Sequence, residues 1–145
     1  RIAPPARPRM PSAKPGREFD LVVFGATGDA GRATVAYVAR VAPKSFKWAI
    51  AGRSAAKLEA LRSSVVAESV HADFDIVIAS CDASGSLRAM AGRSRLILSA
   101  AGPYSKLGEP VIAACVDVGT HYVDITGEIP WVAAMKTKYE ADAKA

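Results

Sequence analysis

Only two cysteines, Cys81 and Cys115, occur in the 145 residues, and nothing around them has a metal-ligand pattern. No secretory signal precedes them. Both are therefore read as reduced, buried thiols, which excludes a disulfide framework, leaves no metal site and fits a cytoplasmic setting. No apolar run approaches the length of a membrane span. Internal repeats are absent, and so is low-complexity sequence beyond the first residues. A basic face is lacking too, although the formal charge is +5. Residues 1–19 hold Arg1, Arg7, Arg9, Lys14 and Arg17 against Glu18, whereas the remainder carries 14 basic and 13 acidic residues. The excess charge belongs to a tail, which argues against nucleic acid as the main partner.

The tail, 1–19, also holds five of the nine prolines and little to bury, so it is expected to be disordered. Met10 is read as the natural start, with 1–9 upstream of it. Residues 20–145 suit one domain with a real core.

What is present centres on Phe19–Gly31, FDLVVFGATGDAG. The short β-branched run Leu21–Phe24 suits a strand buried on both faces. Glycines at 25, 28 and 31 follow at once, in G-x-x-G-x-x-G spacing. They allow a sharp turn and close approach of backbone to a ligand. A helix pattern begins immediately after, so its unpaired N–H groups and positive end face the loop, an arrangement that binds a pyrophosphate. Loop residues Gly25, Thr27, Gly28, Asp29, Ala30 and Gly31 are candidate cofactor contacts.

The remaining pattern alternates strand and helix. The first helix is expected over about 28–41, with Gly31, Val35, Val38, Ala39 and Ala42 on one face and Pro43 ending it. Strands are expected at Lys47–Ala51, Ile76–Ala79, Leu96–Ser99 and Tyr122–Ile125. Ser54 is a good N-cap for a helix turning Leu58, Leu61 and Val65 inward. A short helix falls around Ser86–Ala91. Another is placed from Glu109 or Pro110 to Val118, with Pro110 in its first turn and Gly119 closing it. Pro130 opens a last helix. Right-handed crossovers then require an α/β fold, a doubly wound parallel sheet of order 3-2-1-4-5 with helices on both faces. Ligand belongs across the carboxyl ends of the strands, at loops 25–31, 52–54, 80–84, 100–105 and 126–128.

The loop after strand 2 selects the cofactor. NAD-binding domains place a carboxylate there for the ribose 2′-hydroxyl, whereas this chain has Gly52-Arg53-Ser54. Arg53 can grip a 2′-phosphate, with Ser54 assisting, so NADP(H) is expected over NAD(H). Asp82 can accept from the adenine amino group or serve the turn it sits in. Ala100, Ala101, Gly102, Pro103 and Tyr104 follow strand 4, where small residues let backbone pass the nicotinamide half. Tyr104 and Glu128 are the catalytic candidates; packing and helix entry are their plainer roles. His121 sits away from the ligand edge.

GATGDAGR at 25–32, IAGRSAAKLEAL at 50–61, SLRAM at 86–90 and AGPYSKLGEPVIAACVDVGTHYVDITGE at 101–128 together resemble the saccharopine dehydrogenase-like oxidoreductases. The likeness runs from Phe19 to Trp131. It implies a Rossmann-type NAD(P)-binding domain, with Gly25, Thr27, Gly28 and Gly31 at the pyrophosphate, Arg53 and Ser54 at the ribose phosphate, and Gly102, Pro103 and Tyr104 beside the nicotinamide. That family includes saccharopine-forming or -cleaving reductases and an enoyl reductase of lipid assembly. Two departures stand out. Asp29 replaces the usual aromatic residue, and the family's substrate domain lies beyond this length of chain. The chain is thus expected to bind cofactor, to be inactive alone, and to self-associate as a homodimer through the interrupted sheet edge or through apolar surface that the substrate domain would cover. The alternative is a non-catalytic NADP(H) sensor or scaffold of the atypical short-chain dehydrogenase type. A third reading, an active short-chain dehydrogenase, lacks its usual Tyr-x-x-x-Lys pair in this chain: the residues four after Tyr37, Tyr104, Tyr122 and Tyr139 are Val41, Gly108, Thr126 and Ala143.

Overall fold

A computed structural model describes residues 16–68 and 73–144. Leu21–Phe24 forms β1, the centre of a five-stranded parallel sheet. The other strands are β2 (Trp48–Gly52), β3 (Asp75–Ile78), β4 (Leu96–Ser99) and β5 (His121–Asp124), in the order β3-β2-β1-β4-β5. Val22 pairs with Ala49 on one side and Ile97 on the other, so β1 is hydrogen-bonded along both edges. The helices are α1 (Asp29–Val41), α2 (Ala55–Glu68), α3 (Ser84–Gly92), α4 (Tyr104–Val118) and α5 (Ile129–Lys144).

Alternation along β1 divides the core between the two faces of the sheet. Leu21 and Val23 pack with Val35 and Ala39 of α1 and Leu58, Leu61 and Val65 of α2. Val22 and Phe24 pack with Leu87 and Met90 of α3 and Val111 and Cys115 of α4. All four β1 side chains are buried, as a central parallel strand requires. Gly119 closes α4 in the left-handed region, at φ 65°.

Strands β2 and β3 and helix α3 shift by one or two residues from the sequence reading, and three other boundaries differ in ways that bear on the packing. Residues 1–15 of the expected disordered tail lie outside the described residues, but 16–19 are tied to the domain. Arg17 donates to the carbonyls of Ala91, Gly92 and Val118, Glu18 pairs with Arg93, and Phe19 is buried beneath the Arg93 guanidinium. Helix α4 begins at Tyr104 rather than at Glu109 or Pro110, so Pro110 stands inside it. The earlier start is possible because a carboxylate from outside the helix satisfies its first N–H groups, as described below. β5 begins at His121, whose N–H bonds to the Arg95 carbonyl.

One flank is thinly covered. No residue of α5 is buried; the helix leans on α4 through Trp131, packed against Gly108, and through Lys138 and Tyr139, both bonded to Glu109. Val123, Ile125, Ile129 and Val132 are exposed along this flank.

Candidate functional site

The turn after β1 is held by backbone bonds: Gly25 and Ala26 donate to the Ala51 carbonyl, and Gly28 donates to that of Gly25. Gly25 has φ 76°, and a Cβ there would lie 2.7 Å from the Ala101 nitrogen. A Cβ on Gly31 would overlap the Gly25 carbonyl oxygen. Any side chain at either position would push α1 away from the loop or the loop away from the sheet. The backbone of α1 therefore starts close against the end of β1. Gly28 is its N-cap and provides no side-chain cap. The N–H groups of Asp29, Ala30 and Gly31 find no acceptor among the described residues, and the first N–H with a partner is that of Arg32, to Gly28. Three donors at the positive end of a thirteen-residue helix thus remain free for an anion.

The loops after β1, β2, β3 and β4 converge on a cavity of about 320 Å³. Of the residues expected at the site, Gly25, Thr27, Gly28, Arg53, Asp82, Ala101 and Gly102 line it. Asp29, Ala30 and Gly31 form the adjoining first turn of α1. Ser54 caps α2, its Oγ accepting from Lys57 at 3.4 Å. The lining also includes Phe24, Gly52, Ala79, Ser80, Cys81, Ala100 and Leu107. Phe24 ends β1 and Ala79 directly follows β3, positions that strand alternation marks; Leu107 lies outside a helix that starts at Glu109 or Pro110. A larger cavity, about 600 Å³, lies between Phe46, Trp48 and Phe74 at the amino ends of the strands. It is distant from the glycine loop and from the crevice where the strand order reverses, so the smaller cavity is the candidate site.

Charge in the cavity is asymmetric. Arg53 is exposed at the end of β2, and no carboxylate among the described residues pairs with it. Asp82, in the turn after β3, accepts from the Ser80 hydroxyl at 3.3 Å. Burial, and the neighbouring Asp82, push the Cys81 thiol up, so it stays protonated at neutral pH.

The fifth loop meets the others through α4 instead of through the cavity. Glu128 Oε1 accepts from the Tyr104 N–H at 2.6 Å, and Oε2 from the Ser105 N–H at 3.0 Å. Hydrogen bonds from Ser105 and Tyr104 hold the Glu128 carboxyl below its ordinary value. The same motif braces itself: Asp124 accepts from the Thr126 N–H at 3.1 Å, and the Thr126 hydroxyl accepts from the Glu128 N–H at 3.0 Å. Tyr104 is buried, and its hydroxyl donates to the Ser99 carbonyl at 2.9 Å. Burial raises its pKa. Pro103 precedes α4 through a cis peptide bond from Gly102. Tyr104 and Glu128 are thus brought together at the start of α4, each with its polar atoms engaged.

Among the described residues, no helix is long and apolar enough to cross a membrane. No group of three or more His, Cys, Asp or Glu among them could hold a metal ion.

Residues 21–145 match the family described as "Saccharopine dehydrogenase NADP binding domain". The chain is 38% identical over 113 residues to a trans-acting enoyl reductase of Mycobacterium leprae, covering 78% of this chain and 26% of that protein. It is 40% identical over 112 residues to a putative trans-acting enoyl reductase of Mycobacterium tuberculosis, covering 77% and 26%. The chain therefore spans about a quarter of the length of these relatives. Among solved structures, apo saccharopine dehydrogenase (L-Glu forming) from Saccharomyces cerevisiae superposes with a TM-score of 0.63 at 14% identity, over 79% of this chain and 23% of that one. AtPrR2 with NADP+ and (+)pinoresinol superposes with a TM-score of 0.57 at 13% identity, over 89% and 47%. At such identities these two show a shared fold.

The residues present fit an NADP group: the side-chain-free cradle at Gly25 and Gly31, three free N–H donors and a cationic side chain at the end of β2 are the donor set its phosphates require. By its fold and its match over residues 21–145, the chain belongs to the saccharopine dehydrogenase NADP-binding domain family, an oxidoreductase-type Rossmann domain.

Proposed function

We propose that the chain binds NADP(H) in preference to NAD(H) in the cavity between loops 25–28, 52–53, 79–82 and 100–102, and that the longer protein of this type uses the bound cofactor for hydride transfer. The observation that carries the preference is Arg53. It stands on the cavity wall at the end of β2, where a carboxylate would select NAD, and neither Gly52 nor Ser54 supplies one. A guanidinium attracts the 2′-phosphate, and a carboxylate repels it. The free N–H groups of Asp29, Ala30 and Gly31 take the pyrophosphate. Asp82 takes the adenine amino group.

NADPH, when bound, would supply the hydride. This chain's own residues bind and orient it. Ala101 and Gly102 leave room for the nicotinamide half beside β4. Glu128 and Tyr104 hold the start of α4, and with it that loop, in place. Their engaged polar atoms support a positioning role for both. The names of the mycobacterial relatives point to an enoyl group as the acceptor in the longer protein. Calorimetry of this chain with NADPH and NADH tests the binding reading, with tighter binding of NADPH expected and equal or absent binding refuting it. NADPH oxidation by the longer protein with enoyl thioesters, keto acids and imines tests the reaction. Oxidation with the enoyl substrates is expected, and binding without oxidation favours the non-catalytic sensor.

A further inference from the structure

We infer that Arg32 is a ligand of the bound dinucleotide's pyrophosphate and the counter-charge that lets Asp29 occupy the first turn of α1. The inference rests on the cofactor reading above and adds a residue outside the cavity lining.

Asp29 is the first residue of α1 and is exposed. No cation among the described residues forms an ion pair with its carboxylate. A lone carboxylate about 4 Å from a phosphate in a water-like medium weakens binding about fivefold. A pyrophosphate on the neighbouring N–H groups would meet that repulsion unless a cation stood close by.

Arg32 is that cation. It lies three residues along α1 from Asp29, so the two are surface neighbours. Helical side chains lean toward the N-terminus, and this one does: Arg32 Nε donates to the Thr27 carbonyl at 3.0 Å. Thr27 lines the cavity. The bond fixes the guanidinium beside the phosphate loop before any ligand arrives, which lowers the ordering cost of a further contact. Its two terminal nitrogens make no hydrogen bond among the described residues and remain available as a fork for phosphate oxygens. The backbone N–H of Arg32 is already spent on Gly28, so the side chain is the part that can contribute.

The two arginines then divide the work by position. Arg53, at the end of β2, meets the 2′-phosphate that only NADP(H) carries. Arg32, on α1, meets the pyrophosphate that both cofactors carry.

The test is calorimetric binding of NADPH and NADH to this chain and its Arg32→Ala, Arg32→Lys, Asp29→Ala and Asp29→Ala/Arg32→Ala variants. Arg32→Ala is expected to weaken both cofactors about tenfold and by equal factors. Arg32→Lys recovers part of the loss, since it keeps the charge without the fork. In the Asp29→Ala background the loss is smaller, because no carboxylate is left uncovered. Thermal melts accompany each variant; should Arg32→Ala melt early, comparing Arg32→Lys with the parent decides the matter. Unchanged binding by Arg32→Ala overturns the inference and leaves the cofactor reading standing. A loss confined to NADPH overturns the pyrophosphate assignment, and an equal loss in both backgrounds overturns the counter-charge. A parent chain that binds neither cofactor overturns the cofactor reading, and this inference with it.

Discussion

Replacing Arg53 by alanine removes the cavity-wall guanidinium while leaving the backbone of the β2 turn unchanged. A charge-assisted hydrogen bond contributes about 1.5–3 kcal/mol when well shielded. Arg53 is exposed, so solvent screening brings the figure to just under the low end of that range, about 1.4 kcal/mol, or a tenfold change in Kd. The loss should fall on NADPH, with NADH binding nearly unchanged, because NADH has no 2′-phosphate for the side chain to meet. The gap between the two cofactors should also narrow as salt is raised, since an exposed pair is screened. Arg53→Glu carries the same reasoning further: it repels the 2′-phosphate and offers the ribose hydroxyls an acceptor, so NADH becomes the tighter ligand. Calorimetry of the parent and both variants at low and high salt reads all of these. Equal losses for NADPH and NADH on Arg53→Ala would refute the reasoning, because a 2′-phosphate contact cannot weaken a cofactor that lacks the group.

Three further outcomes follow from the packing and the protonation states. The Glu128 carboxyl titrates below its ordinary value of 4.5, so it contributes stability above that pH and loses it as pH falls through the lowered value. Glu128→Gln should therefore lower Tm at neutral pH and flatten the acid side of a Tm–pH curve; an unchanged acid limb counts against the cap. Leu58 is fully buried against the α1–α2 face of the sheet, and Leu58→Ala should cost about 2–5 kcal/mol in urea unfolding, a loss under 1 kcal/mol contradicting its place in the core. Burial pushes the Cys115 thiol up to about 12, so in the native chain a thiol reagent at pH 8 should modify Cys81 first and Cys115 only on unfolding; prompt reaction of both would show the α4 face to be open.

The turn at Gly25–Gly31 was legible because its signals are local. A β-branched run, three glycines and an amphipathic stretch lie within about twenty residues, and their strand–loop–helix geometry is what those residue types adopt unaided. The same holds for Ser54, which caps α2, and for Leu58, Leu61 and Val65, which face inward at helical spacing. The start of α4 was not legible. Pro110 has the look of a first-turn residue, yet it stands inside a helix whose cap arrives from Glu128, 24 residues after Tyr104. Local signals cannot report a cap supplied by another loop. The reading of Arg17–Phe19 as tail failed for a related reason, since the carbonyls that hold Arg17 belong to α3 and α4.

By itself, then, the amino-acid order determined the alternation of strands and helices, the parallel sheet with β1 at its centre, the phosphate-type loop and the missing carboxylate after β2. Chirality and periodicity leave few other arrangements for such a pattern. Tertiary structure alone decided that loop 126–128 stays out of the cavity that the other four loops share, that Glu128 and Tyr104 brace α4, and that Arg32 reaches back to Thr27. The first two depend on where side chains end in space once distant elements have packed, and the third on the rotamer that one side chain takes, none of which a short window of sequence fixes.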